Sequence, residues 1–181
     1  NYVSQKDFTE SEVEMIGKLY ADGIFQQTQD FRFTILQGSC VGGSTVVNNA
    51  VCFRAPDHVL AHWNDPKHFD AGLDLSRLNT SNTHIEHFLK VATQPEMHLN
   101  PSFRTFTEGA AALAPDMEVD AVRANIMNCV GCGYCNIGCA YGAKLSMLDT
   151  ALPWAQRDFP GKVRILSECE VQRIYTLKDG D

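Results

Sequence analysis

Apolar residues recur at helical spacing in several stretches of the chain. The first stretch follows a capping-box pattern from Thr9 to Glu12. Its apolar positions lie one, three or four residues apart: Val13, Ile16, Leu19 and Tyr20. This spacing predicts an amphipathic helix with one buried face, ending near Gly23.

Four more helices are predicted further along the chain. Asp57 begins one that runs through Trp63, and Thr80 or Ser81 begins the next. Ser102 begins a third, and residues 149–159 form a fourth that Pro153 interrupts. The apolar stripes of the second and third helices are expected in a core: Ile85, Phe88, Leu89, Ala92, Phe103, Phe106 and Leu113.

Alternating apolar and polar residues predict a strand at 31–35, and the apolar residues of 163–166 and 171–175 predict two more strands. Residues 178–181 carry a hairpin-turn signal, so the last strand would lead into a turn with no partner after it. The chain therefore looks cut off, because an unpaired strand exposes its backbone groups. Helices and strands together predict a mixed α/β (α+β) fold.

Composition narrows the classes of protein. The 181 residues include 15 basic and 22 acidic side chains, for a net charge of −7. An acidic chain without a basic stripe argues against nucleic acid or an anionic membrane as the main partner. No apolar run approaches the roughly 20 residues that a membrane span needs. Cytoplasmic residence and export in folded form both remain open.

Four of the seven cysteines fall within residues 129–139. Cys129, Cys132, Cys135 and Cys139 have the C-x2-C-x2-C-x3-C spacing with which ferredoxin-type chains hold iron-sulfur clusters. Ala140 stands where such runs normally carry proline, and there is no second run. Structural zinc, disulfides or four unligated thiols are alternatives, although zinc usually needs a second cysteine pair and this spacing strains a disulfide. A stand-alone electron-transfer or metal-binding module is the matching alternative function.

A second informative stretch, residues 38–49, is rich in glycine and hydroxyl side chains and follows the first predicted strand. Free backbone N–H groups at such a turn favour a phosphate, and a helix can begin directly after it. The stretch is neither a P-loop nor a G-x-G-x-x-G fingerprint. An ordinary tight turn that packs a helix on a sheet would give the same pattern.

Histidines give no catalytic assignment. Six occur between residues 58 and 98, and His58 and His62 lie four apart. No glutamate follows His58, as the H-E-x-x-H metal site requires. We interpret the following as solvated or core side chains: His58, His62, His68, His84, His87 and His98.

The stretch from Gly38 to Pro56 resembles the second flavin-binding motif of the glucose-methanol-choline (GMC) oxidoreductases. In that family the Gly-Gly-Ser/Thr-x-x-x-Asn segment lies along the FAD pyrophosphate and the edge of the isoalloxazine. The resemblance implies FAD contacts for these residues: Gly42, Gly43, Ser44, Asn48, Asn49 and Val51.

The later part of the chain carries the resemblance too. Residues 142–146, followed by a helix and Cys169–Ile174, resemble the family segment that returns to the FAD domain, which implies an adenine contact for the backbone of Val171. Cys129, Cys135 and Cys139 have the ligand spacing of GMC sugar dehydrogenases that hold a three-iron cluster. Cys132 is additional and could complete a four-iron cluster. The pattern also resembles long-chain alcohol oxidases, some with cysteines here but no known cluster.

The resemblance implies a partial FAD-binding domain at residues 1–56, a mostly helical substrate-cap region at 57–126, and a cysteine loop with a return to the FAD domain at 127–181. The expected reaction is hydride transfer from an alcohol or sugar carbon to flavin N5. Electrons would pass onward through the cluster to a cytochrome, a small subunit or a quinone, or else to dioxygen. The family's N-terminal fingerprint and C-terminal histidine base are missing, so we expect this chain to need the remaining segments of the same enzyme.

Overall fold

A computed structural model describes residues 5–176, so the turn predicted at 178–181 lies outside the described residues. The helices are α1 (Glu12–Leu19), α2 (Ser44–Val47), α3 (Asp57–Asn64), α4 (Leu75–Phe88), α5 (Pro101–Leu113) and α6 (Ala151–Asp158). Single 3-10 turns occupy Gln5–Asp7, Ala21–Ile24 and Glu96–His98. The strands β1 (Ala92–Thr93) and β2 (Arg123–Ala124) pair antiparallel.

The first predicted helix is confirmed as α1, and its predicted buried face is confirmed at Leu19 and Tyr20 but is wrong at Val13. Met15 and Leu19, four residues apart, are fully buried, whereas Val13 is 86% exposed. Two residues of helix turn by about 200°, so Val13 must face away from Met15. The predicted capping box is also wrong, because Ser11 precedes the helix and its side chain makes no capping hydrogen bond.

The main core joins parts of the chain that are distant in sequence. Phe8 and the buried face of α1 pack against α2 and against Ile137 of the cysteine loop, residues 129–139. The hydroxyl of Tyr20 donates a hydrogen bond to the carbonyl of Asn136 at 2.6 Å. This core therefore holds the residues after the glycine-rich turn beside the cysteine loop.

Next to this core, three short segments are joined by backbone hydrogen bonds into a small ladder: residues 50–52, 123–127 and 143–145. Residues 50–52 bond to 123–125, where the Cys52 N–H donates to the Arg123 carbonyl at 2.9 Å. Residues 125–127 bond in turn to 143–145, with an antiparallel bridge between Ile126 and Lys144. The ladder thus fixes the backbone of Lys144 relative to the chain that leaves α2.

The helices predicted between residues 57 and 113 are present as α3, α4 and α5. Helix α4 begins earlier than predicted because the Asp74 carboxylate accepts from the Arg77 N–H at 3.0 Å and caps it there. The expectation that their apolar stripes form a core is wrong for Ile85, Phe106 and Leu113, which are exposed. Phe88 at the end of α4 does meet Trp154 of α6, edge to face at 5.0 Å.

The three predicted strands are wrong for the described residues. Residues 26–35 form a narrow loop with a single bridge between Gln27 and Thr34, and Phe31 and Phe33 are exposed. Residues 163–176 adopt no regular structure. A strand needs a partner backbone to satisfy its N–H and C=O groups, and within residues 5–176 no backbone pairs with residues 163–176, while residues 33–35 bond only to the short segment 26–28.

The mixed class of the fold is thus confirmed at a coarse level, as helices with one two-stranded sheet. The division at residues 56 and 126, and the cap region, stay predictions. Among residues 5–176, no helix combines the length and apolar character that crossing a bilayer requires.

Glu86 of α4 joins three segments. Its carboxylate accepts hydrogen bonds from Arg54 at 2.8 and 2.9 Å and from Arg123 at 3.1 and 3.0 Å. The hydrogen bonds from these two guanidinium groups lower the pKa of Glu86 from its ordinary value of 4.5 to about 2. The bidentate geometry on both sides fixes α4 against the ladder.

We expect Glu86→Gln to lower the melting temperature, because both guanidinium groups lose their charged acceptor. The contribution of the native carboxylate is fully present above about pH 4.5 and is lost as the pH falls toward 2, since its pKa is lower in the folded state. Thermal unfolding followed by circular dichroism between pH 2 and 7 measures this. Glu108→Gln, at an exposed position of α5, is the control. Equal melting curves for the two variants would contradict the role of Glu86.

Candidate functional site

The glycine turn, residues 38–43, folds tightly onto the start of α2. The Gly38 N–H donates to the Ser44 hydroxyl at 2.9 Å, and the Gly43 N–H donates to the Cys40 carbonyl at 2.9 Å. Gly42 and Gly43 have φ values of 92° and 59°, which disfavour other residues. A Cβ on Gly43 would meet no atom within 4 Å, so this side of the turn is open.

A groove of 590 Å³ lies beside this turn. Residues 38–42 form one wall, residues 165–170 form the opposite wall, and Leu152 of α6 completes it. The sequence predicts that the glycine turn and Val171 contact one nucleotide, and residues 165–170, which precede Val171, face the glycine turn across this groove. A smaller space of 280 Å³ continues along α6 past Val41, Leu148 and Pro153.

The predicted FAD contacts are not equally placed around this groove. Gly42 is the predicted contact that lines it directly. Val171 is 79% exposed and follows Glu170, which lines the groove. The remaining predicted contacts lie around α2 and just beyond it: Gly43, Ser44, Asn48, Asn49 and Val51. They extend the glycine turn away from the groove and toward the ladder.

The segment after α2 has a defined shape. The Asn48 side-chain carbonyl accepts from the Ala50 N–H at 3.0 Å, and Val51 bridges to Ala124 of β2. Asn48 and Asn49 are exposed beside this turn. Their side chains are therefore held on a fixed backbone while remaining accessible to a ligand.

The four clustered cysteines line one pocket. Cys129, Cys132, Cys135 and Cys139 share it with mainly apolar residues and Lys144. Burial raises the pKa of the Cys135 thiol, the Lys144 ammonium opposes this shift, and the three neighbouring thiols add to it. The sequence run thus converges on a common space.

This pocket is small for an iron-sulfur cluster. Its volume is 20 Å³, which is room for about one water-sized atom. Within residues 5–176 no three His, Cys, Asp or Glu side chains are placed to hold a metal ion. The thiols have the right chemistry for iron, but the pocket as formed does not fit a cluster of three or four irons.

Lys144 lies between the glycine turn and the cysteine pocket, and its side chain is buried. Its Nζ donates to the carbonyls of Val46 at 2.5 Å, Asn48 at 2.8 Å and Cys135 at 2.6 Å. Burial lowers the pKa of Lys144, whereas the neighbouring thiols and the Asp149 carboxylate raise it. One ammonium thus bridges the chain after the flavin-type motif and the cysteine loop.

Sequence reasoning assigned no role to Lys144, Cys40, Glu168 or Glu170. A lysine with small and apolar neighbours, at residues 142–146, was a signal that could have marked a buried cation. The others line the groove through tertiary contact between segments more than 120 residues apart. No local pattern marks such a contact.

Comparison with known proteins identifies the family. The sequence model of the GMC oxidoreductase family matches residues 16–180. The chain is 30% identical over 152 residues to long-chain-alcohol oxidase FAO4B of Arabidopsis thaliana, covering 80% of this chain and 19% of that protein. It is 34% identical over 138 residues to an uncharacterized GMC-type oxidoreductase of Mycobacterium tuberculosis, covering 76% of this chain and 21% of that one.

This chain therefore belongs to the GMC oxidoreductase family. The match lies in the family's N-terminal domain, which is its FAD-binding domain. The chain spans about a fifth of the length of the curated relatives it matches. No solved structure gives a significant match.

We expect Gly42→Ala to destabilise the protein by about 1–3 kcal/mol, because the new methyl group would be overpacked. Its Cβ would lie 2.8 Å from Val46 Cγ2 and 3.0 Å from the Leu148 nitrogen, at a φ that alanine disfavours. Gly17→Ala is the control, since Gly17 lies in α1 with no neighbour within 4 Å, and should stabilise the protein by about 0.5–1 kcal/mol. Urea unfolding measures both values. A neutral or stabilising effect of Gly42→Ala would contradict the packing described for the turn.

Proposed function

We propose that this chain forms the flavin-holding part of an FAD-dependent oxidoreductase that acts on CH–OH donors. The observation that carries this is the groove of 590 Å³ between the glycine turn and residues 165–170. One wall contains Gly42, and the other ends at Glu170, the neighbour of Val171. The family resemblance implies FAD contact for Gly42 and for Val171. Family membership supplies the identity of the ligand.

The charges of the groove suggest how the nucleotide would lie in it. Backbone groups of the glycine turn offer an uncharged wall that suits the pyrophosphate. Glu168 and Glu170 line the opposite wall, where carboxylates would repel phosphate and accept hydrogen bonds from ribose hydroxyls. We therefore place the pyrophosphate against residues 38–43 and the adenosine ribose toward residues 168–170. The isoalloxazine would then approach Asn48, Asn49 and Val51.

The substrate proposed for the whole enzyme is an alcohol. FAO4B and related proteins of Arabidopsis thaliana are named long-chain-alcohol oxidases. When bound, FAD would accept a hydride at N5 from the hydroxyl-bearing carbon. In this chain the described residues would hold and orient the cofactor. We propose that the base which takes the hydroxyl proton belongs to other segments of the same enzyme.

The FAD assignment is tested by titrating the purified protein with FAD and following flavin absorbance and fluorescence. We expect Asn48→Asp to weaken binding about tenfold or more, because a carboxylate would face an electron-rich ring or a phosphate. Asn79→Asp makes the same charge change at an exposed position of α4 and should leave the affinity unaltered.

Undiminished affinity of Asn48→Asp would remove Asn48 from the flavin site. No FAD binding by the parent protein would refute the proposed function of this chain. Equal losses in both variants would point to net charge and not to a contact.

A second candidate is that the cysteine pocket holds an iron-sulfur cluster. The observation that favours it is the convergence of four thiols on one space. Because that space is only 20 Å³, the loop would have to open before a cluster could enter. Because the chain belongs to the GMC oxidoreductase family, we propose that any such cluster would serve an oxidoreductase and not a free-standing ferredoxin-like module. The electron acceptor would then be a cytochrome or small subunit, whereas an oxidase would pass electrons to dioxygen.

Iron and acid-labile sulfide analysis of protein made anaerobically with excess iron tests this candidate. If the pocket holds a cluster, Cys135→Ser loses iron while its FAD content is retained. Cys52→Ser, which changes a thiol outside the cysteine loop, keeps both. Iron-free parent protein, or equal iron in all three proteins, would refute the ligand assignment.

A further inference from the structure

The three hydrogen bonds of the Lys144 Nζ indicate which protonation state the side chain has. The side chain is 1% exposed, and its Nζ has three carbonyl partners, at Val46, Asn48 and Cys135. An ammonium has three N–H donors, one for each carbonyl. A neutral amine has two donors, and its lone pair would then face the third carbonyl oxygen. The geometry therefore fits the positively charged form, which has a donor for each carbonyl.

This charge lies next to the proposed flavin contacts. Lys144 bonds to the carbonyl of Asn48, which precedes Asn49 and Val51 on the same turn. Its backbone is held by the ladder through the bridge to Ile126. The charge is therefore fixed in position and shielded from water, and electrostatic interactions are stronger under those conditions than at a surface.

Two other cations close to this ladder share one carboxylate, which offsets one of their two positive charges. The guanidinium groups of Arg54 and Arg123 both bond to the carboxylate of Glu86. The partners of Lys144 are uncharged carbonyl groups, and the nearby Cys135, Cys139 and Cys40 are thiols that become negative only on ionisation. Asp149 is the carboxylate that also acts on it. Because the three hydrogen-bond partners of Lys144 are uncharged, part of its field acts on a ligand at the turn after α2.

We propose that Lys144 is a positioning residue whose ammonium holds the turn after α2 against the cysteine loop and raises the reduction potential of FAD bound at that turn. This inference rests on the proposed function. A reduced flavin carries more negative charge than an oxidised one, so a fixed cation nearby favours the reduced form. The same three hydrogen bonds couple the turn after α2 to the cysteine loop, because one ammonium donates to carbonyls of both segments.

Two measurements on the purified protein test this inference. The first is the midpoint potential of bound FAD, determined by equilibration with redox dyes. The second is amide hydrogen exchange at residues 44–51 and 133–137, which does not require FAD. The variants are Lys144→Met, which is of similar length without charge, and Lys144→Arg, which keeps the charge. Lys162→Met, at an exposed position, is the control.

We expect Lys144→Met to lower the potential and to speed exchange about tenfold or more in both loops together, because three carbonyls lose their donor. Lys144→Arg should keep the potential near that of the parent even where exchange changes. Lys162→Met should match the parent in both measurements. If Lys144→Met does not fold, Lys144→Gln, with two N–H donors and no charge, replaces it.

Each failure has a separate meaning. An unchanged potential in FAD-loaded Lys144→Met would overturn the electrostatic role. Faster exchange across the whole protein, or in one loop alone, would overturn the positioning role. Absence of FAD from the parent would refute the proposed function and the electrostatic role with it, and the exchange measurement would still decide whether Lys144 couples the two loops.

Discussion

The buried ammonium of Lys144 is the interaction on which the arrangement of this region depends. Carbonyls at the end of α2 and in the cysteine loop point into the interior, and buried carbonyls without donors are costly. Lys144 satisfies three of them at once. The hydroxyl of Tyr20, which donates to Asn136, adds a second polar link between the same parts of the chain. Apolar packing of α1 brings these parts together, and the polar links determine how they are oriented.

The elements that sequence could predict are those defined by local pattern. Helices α1, α3, α5 and α6 begin within two residues of their predicted starts, because the patterns that mark a helix start act over a few residues. The prediction of three strands was wrong because the pairing of strands depends on tertiary structure. Residues 163–166 and 171–175 carry apolar residues that are typical of strands, but such a segment needs a neighbouring backbone before it becomes part of a sheet. The prediction that Val13 and Phe106 are buried was wrong for the same reason, since only tertiary packing decides which apolar face of a helix is covered.

In the candidate site, too, the features that form local motifs could be predicted, whereas those that arise from tertiary contacts could not. The glycine turn and the cysteine loop could be recognised in the sequence because each is a contiguous motif, and these motifs also indicated the family. The groove was predictable only as a requirement that two distant turns face one space, and the structure supplies its walls. Lys144 and the two glutamates of the groove could not be assigned, since their roles arise from contacts between segments far apart in the chain. The size of the cysteine pocket likewise emerges only in three dimensions.

The burial of Lys144 also affects how this protein reacts with amine-modifying reagents. An acetylating or succinimidyl reagent modifies lysines whose nitrogen is accessible and unprotonated, and this one is enclosed and saturated with acceptors. It should label only when the region around it opens. The extent of labelling at this single lysine, read by mass spectrometry, would therefore report how often that interior is exposed in the native protein.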